Sequence, residues 1–452
     1  MKNFVCMLLL CVIGGPAALL AQEAAVPTPD AAEPLLTLDS AVSVALTHNR
    51  LVQNSGLEVE RTGFEVDAAK TRRLPQFHID VLGGALLHGI DFTFPAGSFG
   101  SYPGTGPIPS QDAKIHTPSV FTTYTTAAVD QPVTQQYKIG LGIRATDLGR
   151  QVADENRRDR RQKIAAEVRS VYYTLAATQA AVDSSREVVR TLVETQRVTA
   201  EYEAQRVVLH AEALEVDARL AKAIYDLSAA ENGLASQRER LNQLLGRDIT
   251  ETFRVQAYPE DHSPDLSLLE ARHQAAQNRP EIREAQLKQQ QADVDRRLAK
   301  AEYIPDLSLS VRYTGVSNVE VVPTHTTVAG FYLTWEPFDW GRKRDTVAAK
   351  TRVLTQARNG LTETESQIAV EVGAKYRKWQ ETTLLLKVAR ITYAAATEQF
   401  RLASNRYHEQ AVLIRDVLQA QARTSEADFQ FQQALSSFWT ALADLHRAMG
   451  EE

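Results

Sequence analysis

Two cysteines occur among 452 residues, Cys6 and Cys11, and both fall in the first dozen positions. That segment reads as a cleaved secretory signal. Lys2 supplies the positive start, Phe4 to Ile13 the apolar stretch, and Ala18-Leu-Leu-Ala21 a small-residue site before Gln22. An uncleaved anchor is the other reading of the same residues. With residues 1–21 removed, 452 − 21 = 431 residues remain without a cysteine. Disulfides, thiol catalysis and Cys-ligated zinc are thereby excluded together. The ten histidines form no His-Glu-x-x-His and no pair at i, i+4, so neither a metal nor a cofactor is expected. No catalytic constellation stands out, and the chain reads as a non-enzyme. Gly140-Leu-Gly142-Ile-Arg-Ala145 has the letters of a dinucleotide fingerprint but is followed by a long helical pattern instead of a βαβ unit.

Proline and glycine are also sparse, 17 and 22 residues, and seven of the glycines fall between Gly83 and Gly106. The rest is rich in Ala, Gln, Glu, Arg and Leu, a composition of long helices with one irregular insert. Charge of one sign is lacking. The net charge is −6, with basic residues interspersed among acids, so no electrostatic footprint for nucleic acid exists. Long apolar runs are missing beyond the signal, which excludes a transmembrane helix from the mature chain. An exported chain of this kind is periplasmic, secreted, or held in an outer membrane as a β-barrel.

What the sequence does contain is a duplication. Leu36-Thr-Leu-Asp-Ser-Ala41 resembles Leu266-Ser-Leu-Leu-Glu-Ala271, and Leu74-Pro-Gln-Phe-His-Ile-Asp-Val81 resembles Ile304-Pro-Asp-Leu-Ser-Leu-Ser-Val311, both at an offset of 266 − 36 = 230. Gln131-Pro132 matches Glu336-Pro337 and Tyr202 matches Tyr407 at an offset of 205, so the first copy carries 230 − 205 = 25 extra residues in its Gly/Pro-rich stretch. Leu214/Leu418, Leu241/Leu445 and Gly246/Gly450 then follow at 204. This divides the chain into a signal (1–21), an N-terminal linker (22–35), a first repeat (36–248), an inter-repeat linker (249–265) and a second repeat (266–452).

Each copy repeats one order of patterns. A helical stretch of roughly 35 residues (Leu38 to Arg73; Leu268 to Tyr303) stops before Pro75 or Pro305, whose ring disfavours helix at the preceding residue. A strand follows. Phe77, Ile79 and Val81 alternate with Gln76, His78 and Asp80; Leu307, Leu309 and Val311 alternate with Asp306, Ser308, Ser310 and Arg312. Leu86 to Thr117 reads as a long irregular outer loop, and a second strand covers Val120 to Asp130 or Thr326 to Trp335. Next comes a heptad seam, Ile164, Val168, Val171, Leu175 onward, resuming at Leu220 through Leu245. The one-residue indel between the 205 and 204 offsets would rotate every later side chain of a continuous helix by about 100°. It is expected in αα turns near Ala204–Leu209 and Gln410–Leu413.

Strands with one polar and one apolar face, about ten residues long, carry the lipid-out, lumen-in signature of an outer-membrane barrel. Four strands cannot close, and an open edge in hydrocarbon costs several kcal/mol per unpaired backbone group. Three chains supply twelve. The expected fold is therefore mostly α with β: duplicated coiled-coil helices plus four strands per chain, completed as a homotrimer into a 12-stranded β-barrel and an α-helical barrel. Gln76, His78, Asp80, Asp306, Ser308 and Arg312 are its expected lumen-facing strand residues.

These features together resemble the TolC-type outer-membrane efflux proteins. The resemblance rests on Leu36-Thr-Leu-Asp39 with Ala41 and Ala45, the Leu74-Pro75 and Ile304-Pro305 junctions, Gln131-Pro132-Val133 and Glu336-Pro337-Phe338, the Arg406-Tyr407…Asp416-Val-Leu-Gln-Ala420 tip, and Leu241-Asn-Gln-Leu-Leu-Gly246. It implies a passive exit duct of a tripartite efflux or type I secretion system, held in the outer membrane, surrounded by lipid and extending into the periplasm, that docks to a periplasmic adaptor and an inner-membrane pump. It also implies gate and tip residues. Tyr407 falls on the family's linking tyrosine, with Tyr202 its counterpart in the first repeat, Glu212 on an acidic partner position, and Asp416, beside Arg415, on a mouth carboxylate. Val412 replaces a linking arginine, Gln419 a second mouth carboxylate, and Gln205 and Ala411 the usual tip glycines. A periplasmic coiled-coil adaptor or structural protein is the alternative, and the paired strands in each repeat speak against it.

Overall fold

A computed structural model describes residues 34–85, 87–117, 120–206, 208–257, 266–319, 323–409 and 412–452. The expected signal segment lies outside them. Each stretch read as one helix before a strand is two: α1 (Leu38–His48) and α2 (Arg50–Thr71), then α5 (Leu268–Asn278) and α6 (Pro280–Ala301). The breaks have a local cause. Asn49 is extended (ψ 125°) and its side chain accepts from the Leu51 and Val52 N–H groups, capping α2. At the corresponding site, 49 + 230 = 279, Arg279 is extended because Pro280 follows it at the first position of α6.

Both break residues also hold the far end of a hairpin. Asn49 Nδ2 donates to the Leu244 carbonyl at 2.8 Å, and Arg279 Nη1 approaches the Ala448 carbonyl at 3.4 Å. Leu244 and Ala448 are themselves counterparts, 244 + 204 = 448. Arg279 is buried, and Glu281 and Glu371 each accept from its Nη2 at 2.8 Å. A second pair of fasteners uses tyrosine. The Tyr172 hydroxyl lies 2.9 Å from the Leu36 carbonyl, and Tyr376, 204 residues on, lies 3.0 Å from that of Leu266. In the first copy a short parallel pair, β1 (Leu35–Leu36) with β8 (Arg254–Val255), tightens the same corner.

Strands β2 (Gln76–Ala85), β7 (Phe121–Pro132), β9 (Asp306–Ser317) and β10 (His325–Thr334) form one antiparallel sheet in the order β10-β9-β7-β2. Within the expected irregular loop, the chain instead folds a small extension. β3 (Ile90–Phe94) pairs with β6 (Ala113–Thr117) and β4 (Ser101–Tyr102) with β5 (Gly106–Pro107). His116 Nδ1 meets Asp91 Oδ1 at 2.6 Å, Asp112 accepts from the Ala96 N–H at 2.9 Å, and the Phe94 and Phe99 rings lie 5.3 Å apart. The prolines and glycines punctuate a hairpin whose short strands they obscure.

Among the described residues that extension shares no ladder with the main sheet, where Gln76–Ala85 pair wholly with Phe121–Asp130. Excising residues 90–117 is therefore expected to leave assembly intact, since loop-length changes cost little. Loss of the assembled species on a gel-filtration column would place the extension in the structural wall.

The two long hairpins are α3 (Gln135–Ala204, 70 residues) with α4 (His210–Leu245), and α7 (Arg342–His408, 67 residues) with α8 (Ile414–Ala448). At 1.5 Å per residue the long arms reach roughly 100–105 Å. Both turns fall in the stretches expected from the indel. Much of the heptad seam is buried: Ile164, Val168, Val171, Leu175, Val182 and Leu192, then Leu220, Leu234, Leu241 and Leu245. Ile224 departs from it and lies exposed. Two apolar clusters, one on α1, α3 and α4 and one on α5, α7 and α8, share the Trp439 ring, which lies 5.6 Å from Tyr173 and 5.4 Å from Phe438.

Helices pack side by side in the same left-to-right order as the strands. Beneath the sheet the order is α2-α3-α6-α7; farther down it becomes α4-α3-α8-α7. Each tier thus ends in flanking elements: β2 and β10, α2 and α7, α4 and α7.

Candidate functional site: the hairpin tips and the two faces of the sheet

Opposed residues in an antiparallel ladder project to the same face. Register therefore sorts the sheet without reference to solvent. Phe77, Val129, Val311 and Ala329 form one cross-strand row; Ile79, Ala127, Tyr313 and Thr327 form the next row on that face. Leu309 and Phe331, then Leu307 and Leu333, extend the apolar side. The other face carries Gln76 with Asp130 and Ser310, His78 with Ala128 and Arg312, and Asp80 with Thr126 and Thr314. All six strand residues singled out from sequence, Gln76, His78, Asp80, Asp306, Ser308 and Arg312, share this polar face. His78 Nδ1 lies 3.5 Å from Asp130 Oδ2, and Lys138, in the first turn of α3, donates to Asp306 Oδ1 at 2.6 Å. Neither pairing was legible beforehand, because each joins residues more than 50 positions apart.

At the opposite end, the tip residues come from three helices. Tyr202 is in the last turn of α3, Glu212 in the first turn of α4, and Tyr407 in the last turn of α7. The structure brings them together: partial burial raises the Tyr407 phenol above its ordinary value, and the neighbouring Tyr202 and Glu212 add to the rise. Glu212 has a second task, since its Oε2 accepts from the Leu209 N–H at 3.3 Å at the start of α4. Asp416 occupies the same third position of α8, 212 + 204 = 416, and carries Arg415 at 3.9 Å. A carboxylate there also interacts favourably with the positive end of the helix. Gln205 and Val412 lie in the two interhelix turns, Gln419 in the second turn of α8, and Ala411 outside the described residues.

One tip contact was missed at the sequence level. His210, the first residue of α4, places Nδ1 2.7 Å from Glu203 Oε1 near the end of α3, spanning the turn. The two residues lie in different helices, so their contact depends on the αα turn between them and not on a helical spacing.

Among the described residues no helix is long and apolar enough to cross a membrane, and no group of three or more His, Cys, Asp or Glu side chains is arranged for a metal ion.

Three comparisons bear on this geometry. Residues 271–451 match the family model described as outer membrane efflux protein. No curated protein sequence matches the chain. Several solved structures share its fold. The Campylobacter jejuni CmeC outer membrane channel superposes with a TM-score of 0.71 at 16% identity, over 91% of this chain and 85% of that one. For CusC, described in terms of folding and transmembrane channel formation, the values are 0.74 and 15%, with 92% of each chain covered. The open-state Neisseria gonorrhoeae MtrE outer membrane channel gives 0.70 at 17%, over 92% and 89%. At such identities the likeness establishes the fold, and the family model matches the second half alone. Residues 271–451 thus resemble the outer membrane efflux protein family, and the chain carries the fold of these channels through both halves.

Proposed function

We propose that this protein is a passive exit duct of the outer membrane: a homotrimer whose twelve strands close a barrel in lipid and whose helices continue it as a tunnel into the periplasm. The observation that carries this reading is the set of unsatisfied flanks. β2 runs opposite to β7, β7 to β9 and β9 to β10, so β10 of one copy can pair antiparallel with β2 of the next and close the sheet. Strands of 10 to 12 residues suit a tilted crossing of the hydrocarbon layer.

The helices support the same closure. On α7, Leu384, Val388, Ile391, Ala395 and Leu402 recur at heptad spacing and lie exposed. On α4, Leu214, Ala218, Ala221 and Tyr225 do the same, as do Leu57 and Phe64 on α2. Apolar seams of this kind on both flanks are what adjacent copies in a coiled-coil ring would bury. The two-repeat division, 36–248 and 266–452 joined by 249–265, is supported by the duplicated fasteners at Asn49/Arg279 and Tyr172/Tyr376.

In this reading the polar face, with His78, Asp80, Asp306 and Arg312, lines the lumen, and the tips form a periplasmic gate. The family resemblance adds a periplasmic adaptor and an inner-membrane pump as partners. Threefold symmetry places three Asp416 carboxylates around the axis, a ring that favours cations. Tyr407→Phe is expected to raise single-channel conductance in planar bilayers by loosening the contact with Glu212. Asp416→Ala is expected to shift the reversal potential under a salt gradient toward lower cation preference. If neither variant changes conductance or reversal potential, the gate lies elsewhere.

A further inference from the structure

The internal duplication implies a contact that one chain cannot complete by itself. Near the tips the two hairpins of a chain meet in a small apolar cluster: Leu192 of α3, Val216 and Leu220 of α4, and Leu418 of α8. Arg219 of α4 closes it from the side. Its Nη1 donates to the Leu418 main-chain carbonyl at 3.1 Å, while its Nη2 donates to Glu215 Oε1 at 3.0 Å, one turn back on the same helix. A carbonyl oxygen has two lone pairs, so this bond does not displace the helical one. Leu418 is left only 2% exposed.

At the 204 offset that relates α4 to α8, Leu214 corresponds to Leu418 and Arg219 to Arg423, since 219 + 204 = 423. Both side chains of the contact are thus present twice. Their surroundings differ. Leu214 is 52% exposed where Leu418 is buried, and Arg423 is exposed and makes no hydrogen bond or ion pair among the described residues. One member of the motif is not repeated: Gln419 stands at the counterpart of Glu215, so Arg423 has no carboxylate one turn back to hold it to its own helix.

The order of elements indicates where the missing partner comes from. Within a chain the α4-α3 pair lies beside α8-α7. In a closed ring α8-α7 of one copy lies beside α4-α3 of the next, so the step from first repeat to second is followed by an equivalent step between copies. The sheet follows the same rule, because β7 beside β9 becomes β10 beside β2 of the next copy.

We infer that Arg423 donates to the main-chain carbonyl of Leu214 of the next copy, repeating between chains the bond that Arg219 makes within one, so that every hairpin is fastened to the one beside it. The occupant of this exposed flank is a second copy of this chain, and the arginine site is incomplete without it. The inference rests on the trimeric reading and can fail separately from it.

Residues 22–452 contain no cysteine, so thiols can be introduced one pair at a time. Leu214→Cys with Arg423→Cys, in the full chain extracted from membranes in mild detergent, is treated with a short bis-methanethiosulfonate reagent. A non-reducing denaturing gel is expected to show chains joined in twos and threes, returned to single chains by dithiothreitol. Arg423→Ala, without any reagent, is expected to lower by several degrees the temperature at which the assembled particle separates into chains, with the helical circular-dichroism signal unchanged. A thiol pair that joins no chains, or bridges only within one chain, in a particle of wild-type mass would overturn the inference. So would an Arg423→Ala particle that separates at the wild-type temperature. A wild-type particle of one chain would overturn the trimeric reading, and the inference with it.

Discussion

Gly246→Ala is expected to destabilise the protein by about 2–5 kcal/mol, lowering its thermal midpoint by several degrees in a circular-dichroism melt. Gly246 closes α4 in the left-handed conformation, φ 71°, and a Cβ placed on it would sit 2.3 Å from the His48 carbonyl oxygen. Backbone strain accounts for about 1–2 kcal/mol and forced displacement of the α1–α2 break for the rest. The atom that blocks the Cβ is main chain and cannot rotate away. Asn49, the next residue, meanwhile holds Leu244 by its side chain, so any shift at Gly246 also strains that hydrogen bond. Gly450→Ala repeats the experiment in the second copy, where the nearest approach is 2.8 Å to the Asn278 carbonyl carbon, and its effect should be smaller. Gly142→Ala is the control. It lies inside α3 with nothing within 4 Å of an added Cβ, so the change should be neutral or stabilising by up to about 1 kcal/mol.

A pair of charges on the α7 seam is expected to abolish assembly without unfolding the chain. Val388 and Ile391 are exposed in the single chain, so Val388→Glu with Ile391→Glu removes no contact from either apolar cluster and should leave the helical circular-dichroism signal intact. In a closed ring both positions face the neighbouring copy. Central interface positions commonly cost about 2–4 kcal/mol each on disruption, and six such changes accumulate around a threefold ring. Sedimentation of the detergent-extracted variant should show single chains. Retention of the wild-type particle would mean that this seam faces solvent or another protein.

The sequence-level reading succeeded where local chemistry and tertiary need agree. Pro75 and Pro305 stop helices whatever surrounds them, and the indel between Tyr202/Tyr407 and Leu214/Leu418 cannot be absorbed inside a continuous heptad helix. Period-two alternation placed His78 and Arg312 on one face, and register agrees because both follow the same pleat. It failed where a feature depends on a distant partner. The breaks at Asn49 and Arg279 sit inside unbroken helical composition, and their role is apparent only once Leu244 and Ala448 are in place. The 230 offset aligns these two residues, but asparagine and arginine share no local chemistry that marks a helix break. The β3–β6 hairpin was hidden by its prolines and glycines. Tyr407 was located by family resemblance, whereas its company with Tyr202 and Glu212 follows from the meeting of two hairpins that are far apart in sequence.

The central claim is that one chain is a third of a closed structure, and particle mass tests it most directly. The protein is extracted from outer membranes in mild detergent, and its protein mass is measured by sedimentation equilibrium with the detergent contribution matched out. The account predicts three chains per particle, converted to single chains only on heating in denaturant. A particle of one chain, or recovery of the protein in the soluble periplasmic fraction, would contradict it.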